Sequence, residues 1–101
     1  MRQLLLLVLL LSSLAGADQV LTGVIREVQV GDYYHLVVRD ARGKDHSFFV
    51  GNHKSFNALV DKPEKFRGKK VRVHWHSVEK HIPEAGGKMK IEEATSMELL
   101  K

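Results

Sequence analysis

The sequence predicts an all-β barrel of five short strands with one short helix. Three observations carry this expectation. Runs of β-branched, alternating apolar residues recur with Gly, Asp and Asn punctuation between them. A single stretch carries helical spacing, and it falls between the third and fourth runs. The 101-residue chain contains no cysteine, so a small domain must commit its aliphatic residues to one packed core instead of stapling itself with disulfides.

Residues 20–30 are rich in β-branched side chains (Val20, Val24, Ile25, Val28, Val30) until Gly31-Asp32 interrupts them. They form the first strand, with Gly23 expected to mark a bulge. Residues 33–39 are the second, and Asp40-Ala41-Arg42-Gly43 follows as a turn whose glycine supplies left-handed backbone. Residues 46–50 return as the partner strand. Asn52 is the expected N-cap of a helix on which Phe56, Leu59 and Val60 fall at i, i+3 and i+4, one apolar stripe. Asp61-Lys62-Pro63 ends it, because the residue before proline avoids the helical region. Residues 71–78 are the clearest half-buried strand: Val71, Val73 and Trp75 share one face, and Arg72, His74 and His76 share the other. A polar loop over residues 79–87, containing Pro83 and Gly86-Gly87, leads to a last strand over residues 88–99.

The N-terminus has a different character. Behind Met1, Arg2 and Gln3, an unbroken apolar run from Leu4 to Leu11 precedes the small-residue site Ala15-Gly16-Ala17. A spanning helix needs about 20 apolar residues, whereas this shorter pattern is what a signal peptidase reads. Residues 1–17 are therefore expected to be a cleavable secretory signal peptide, cut near Ala17, and residues 18–101 a single periplasmic or secreted domain. Asp18 stands where a lipoprotein would need cysteine. Removing the leader leaves 84 residues, and the formal net charge falls from +4 to +3 because Arg2 goes with it.

The order of three strands, a helix and two strands is that of the oligonucleotide/oligosaccharide-binding (OB) fold, a five-stranded Greek-key barrel. Thr22-Gly23-Val24-Ile25, the Gly31-Asp32 turn, and the run from Lys62-Pro63-Glu64-Lys65-Phe66-Arg67-Gly68 into Lys69-Lys70-Val71-Arg72-Val73 give the chain its likeness. On these motifs it resembles small exported bacterial OB-fold proteins, the periplasmic stress-associated ones among them. The resemblance covers nearly all of residues 18–101 and implies a binding module. An SH3-like small barrel is the alternative if residues 52–60 form only a turn.

OB-folds bind across strands 2 and 3 and the loops that flank them. On this chain that surface is expected to hold Tyr33, His35, Arg39, Lys44 and His46, with Lys88 near the 4–5 hairpin and Arg72 in a second patch. Rings to stack and cations to track phosphates suit an anionic ligand such as single-stranded nucleic acid. Acidic residues are interspersed, however, and an exported domain points instead to an envelope protein or another anion. The six histidines supply a further reading. His74 and His76, at i and i+2 on one strand face, have the spacing to share a zinc or copper ion; otherwise no cofactor is expected. A stress or assembly factor acting through protein contacts on an exposed strand edge is a third reading. No cysteine, nucleophile elbow or phosphate loop is present, so an enzyme is not expected. Tyr34 and Trp75 are expected in the core, and the alternation leaves open which of Phe48 and Phe49 joins them.

Overall fold

The computed structural model describes residues 18–101; the expected signal peptide lies outside the described residues. The elements are β1 (Gln19–Gln29), β2 (His35–Arg39), β3 (Asp45–Val50), a 3-10 turn (Lys54–Phe56), α1 (Asn57–Asp61), a second 3-10 turn (Pro63–Lys65), β4 (Lys70–Ile82), a third (Pro83–Ala85) and β5 (Gly87–Leu99). The strands close into a barrel in the order β1-β2-β3-β5-β4. The stretch expected to decide between two kinds of barrel is helical, and the SH3-like alternative is set aside.

β1 serves both halves of the barrel. Gln19 to Val24 pairs with β4, and Val24 to Gln29 pairs with β2. A strand that changes partners must bend, and the register shift lies between Ile25 and Glu27, not at Gly23 as expected. Gly23 is instead required by a close approach of backbone, since a Cβ there would lie 2.3 Å from the carbonyl oxygen of Arg39. Closure comes from two parallel pairs between β3 and β5, Phe49 with Glu93 and Val50 with Ala94. The Gly51 amide extends the seam by donating to the Ala94 carbonyl at 2.9 Å.

Alternation delivers the core. Leu36, Val38, Phe48, Ile25, Val71 and Val73 are fully buried on the inward face, and Phe56 and Leu59 close the bottom from the helical segment. Trp75 packs against this core only in part, its ring 5.4 Å from Phe48, and Tyr34 is half-buried. Burial of each large aliphatic or aromatic side chain is worth about 1.5–3 kcal/mol, and these are the contacts that a cysteine-free domain relies on.

Two element boundaries differ from the sequence reading. The helical segment is capped by His53, not Asn52: the Ser55 amide donates to His53 Nδ1 at 3.0 Å, while Ser55 Oγ accepts from the Met97 amide and ties the segment to β5. The expected loop over residues 79–87 is mostly strand. β4 and β5 stay paired out to Ile82 and Gly87, so the connection is only the short turn at Pro83–Ala85. The residues of this ribbon that extend the barrel's inward face, such as Ser77, Glu79, His81, Lys88 and Lys90, meet solvent instead of a core. Their polarity makes a strand look like a loop.

Candidate functional site

Directly opposed residues on antiparallel strands share a face. Leu36 opposes Phe48 and Val38 opposes His46, while His35 opposes Phe49, Val37 opposes Ser47 and Arg39 opposes Asp45. The outer face of β2 and β3 therefore carries His35, Val37, Arg39, Asp45 and Phe49. β1 widens it with Glu27, paired to Val37.

At one end of this face three rings meet. The His35 and Phe49 centroids lie 4.3 Å apart, and Tyr33, in the bend before β2, presents its ring edge-on to Phe49 at 5.8 Å. Such contacts suit the ring quadrupoles and hold the side chains in place. The Tyr33 hydroxyl donates to Glu84 Oε1 at 3.0 Å, fastening the turn between β4 and β5 to the loop between β1 and β2. That bond holds the phenol's pKa above its ordinary value, with burial and the nearby carboxylates adding to it. Phe49 is the member of this cluster that alternation alone leaves undecided. Only its register opposite His35 fixes its side.

At the other end sit guanidiniums. Arg39 Nε donates to Asp45 Oδ1 at 2.9 Å and Nη2 to Oδ2 at 3.4 Å, which draws the Asp45 carboxyl below its usual range. A pocket of about 260 Å³ beside them is lined by Arg26, Glu27, Val37, Asp45 and Arg67. Arg26 is thrown outward by the bulge in β1, and Arg67 arrives from the segment before β4, where Gly68 donates to the Ile25 carbonyl at 2.7 Å. Neither arginine stands out in the sequence, because the bulge and the docking that converge them are tertiary.

The remaining expected residues are distributed differently. Lys44 and Lys88 are exposed and join no ion pair among the described residues. His46 is not on the outer face of β2 and β3: it follows Phe48 along the inward row, its ring parallel to Phe48 at 6.4 Å. Its Nε2 lies 2.8 Å from Asp40 Oδ2, and Asp40 also accepts the Arg42 and Lys44 amides. The His46 contact, then the Lys44 amide, pull the Asp40 pKa down to about 2 against the effect of burial. His46 thus organises the hairpin turn.

Arg72 and His74 belong to the outer face of β4, whose barrel neighbours are β1 and β5, so they lie across the barrel from β2 and β3. Arg72 donates to Glu98 at 3.0 Å, and His74 Nε2 is 3.9 Å from the same oxygen. His76 instead meets Glu93 at 3.2 Å and Asp18 at 3.6 Å. The two histidines expected to share a metal ion are each turned to a different carboxylate. Among the described residues no group of three or more His, Cys, Asp or Glu forms a metal-holding set. Burial pushes the Glu93 carboxyl up, but the bonds from Lys80 and His76 outweigh it and leave its pKa lowered.

A closed five-stranded barrel with a helical segment between β3 and β4 defines an OB fold. Among solved structures the chain is similar to the crystal structure of the mitochondrial single-stranded DNA-binding protein Rim1 from S. cerevisiae, with a TM-score of 0.59 and 18% identity over 85% of this chain and 95% of that one. At that identity the likeness is one of fold. By sequence the chain matches no family model and no curated protein.

Proposed function

We propose that this chain is a non-enzymatic OB-fold module, exported by its N-terminal leader, that binds an anionic ligand along the outer face of β2 and β3. The observation that carries this reading is the face itself, with Tyr33, His35 and Phe49 clustered at one end and Arg26, Arg39 and Arg67 gathered at the other. Rings that stack and cations that track a charged backbone are the two elements that single-strand binding uses. Rim1, named as a single-stranded DNA-binding protein, has the same fold and lends this ligand class further support.

Tyr33→Ala and the double change Arg26→Ala with Arg67→Ala should each weaken binding of a fluorescent single-stranded oligonucleotide by about tenfold at low salt. Fluorescence anisotropy measures this directly. Wild-type affinity should also fall steeply with added salt. If both variants bind as wild type does, the ligand does not use this face.

Export rests on the pattern of residues 1–17. Produced with its leader in a secreting host, the protein should be recovered outside the cytoplasm with Asp18 as its first residue, as read by intact mass. Recovery of uncut chain in the cytoplasm would refute that part. A second reading, an envelope protein partner, is favoured by one observation: β1 pairs with β4 only as far as Trp75, and β4 continues to Ile82 with that edge free among the described residues. Unpaired strand edges recruit extended peptides.

A further inference from the structure

We propose that the groove between the end of α1 and the end of β5 is a second binding site, which takes an acidic segment of a partner protein carrying an apolar side chain. The inference is independent of the ligand face, with which the groove shares no residue. The groove has a volume of about 590 Å³ and is lined by Ala58, Phe66 and Leu99 together with Asp61, Lys62, Lys65 and Lys69.

Local sequence builds this arrangement. Pro63 starts a 3-10 turn that directs Phe66 toward the core, where it is half-buried, and the flanking lysines consequently stand out in solvent. The segment is pinned to the barrel. The Phe66 carbonyl accepts the Lys69 amide at 3.1 Å, Ile25 donates to the Lys69 carbonyl at 2.9 Å, and Gly68 donates back to Ile25. The backbone that carries the lysines is thereby fixed to the barrel. Leu99 closes the other side and is 46% exposed, one of the large apolar side chains that the fold leaves in water.

Charge selects the occupant. None of Lys62, Lys65 and Lys69 joins an ion pair among the described residues, and Asp61 is the one carboxylate in the lining. Three cations held beside apolar side chains repel one another and contribute nothing evident to folding, but they complement an anionic partner. A peptide fits better than a nucleic acid. The groove sets exposed apolar side chains beside cations, and an acidic peptide bearing Leu or Phe meets both, whereas a nucleic-acid backbone offers no aliphatic side chain to Leu99. Asp61, the one carboxylate in the lining, can accept a backbone N–H from a peptide.

The test uses the protein and a fluorescent probe peptide of alternating Glu and Leu, with a Gln-for-Glu peptide as control. Binding to the Glu peptide is expected to be about tenfold tighter than to the control. The triple change Lys62→Glu, Lys65→Glu and Lys69→Glu should abolish that preference without altering the thermal midpoint, and amide chemical shifts on binding should cluster at residues 58–69 and Leu99. Leu99→Ser, at an exposed position, should weaken both peptides and serves if the triple variant folds poorly. Equal binding by the charge-reversed protein, or shifts confined to β2 and β3, would overturn the proposal. So would lysine-dependent binding to phosphatidylglycerol vesicles or an oligonucleotide in the absence of peptide binding.

Discussion

Single residues set the behaviour of the turn between β2 and β3. Asp40 collects two backbone amides and the His46 ring, and its pKa of about 2 lies below the ~3.9 of a free aspartate. A carboxyl depressed on folding stabilises the native state at every pH above its unfolded value, and the contribution disappears as pH falls through the folded one. Thermal midpoints measured across pH should therefore show a loss of stability between about pH 4 and pH 2 that Asp40→Asn removes. Gly51 is constrained by space: a Cβ would lie 2.8 Å from the Ala94 carbonyl oxygen, which is backbone and cannot swing aside. Gly51→Ala should cost about 1–3 kcal/mol in denaturant unfolding through the strained β3–β5 seam. Neither role is legible from sequence. The Asp40 turn is readable as a turn, and Gly43 closes it at φ 83° as expected, but the ring that completes it is expected on the ligand face because sequence leaves the parity within β3 unresolved.

At the scale of elements, the ribbon formed by residues 76–82 and 87–93 departs most from expectation. One of its faces is wholly polar and exposed, while the other carries Val78, Ile82 and Ile91, with Ile82 and Ile91 buried yet outside the barrel core. That second face continues from Glu93, the parallel partner of Phe49, toward the aromatic end of the outer face of β2 and β3. The Tyr33–Glu84 bond is the polar contact that fastens the ribbon's tip there. Tyr33→Phe, which keeps the ring and removes the hydroxyl, should raise amide hydrogen exchange in residues 78–91 several-fold while β2 and β3 stay protected. Unchanged exchange would mean that apolar burial alone holds the ribbon. A strand whose apolar residues change face part-way escapes detection by alternation. β4 buries Val71, Val73 and Trp75 on one face along its first half and Val78 and Ile82 on the other along its second, which is why only the first half is readable.

For the whole molecule, the sequence determined a great deal. The order of elements, the fully buried status of Leu36, Val38, Val71 and Val73, the helix stripe of Phe56 and Leu59, and the cysteine-free core all follow from periodicity and turn chemistry, which are local. They are sufficient for an OB barrel, because one face of each strand has to be apolar and one short helix has to stand between the third and fourth. Tertiary structure decided the proposed binding surface. It set Phe49 beside His35, turned His46 inward, carried Arg72 and His74 to the far side of the barrel, and brought Arg26 and Arg67 together across a bulge. It also turned a formal excess of cations into separate districts: Arg39, Arg72 and Lys80 are paired to carboxylates, while the lysines around Phe66 join no ion pair among the described residues. The physical reason is that burial is recorded along the chain as composition, whereas a binding face is a relation between strands. Register, bulge position and closure fix that relation, and each depends on residues distant in sequence.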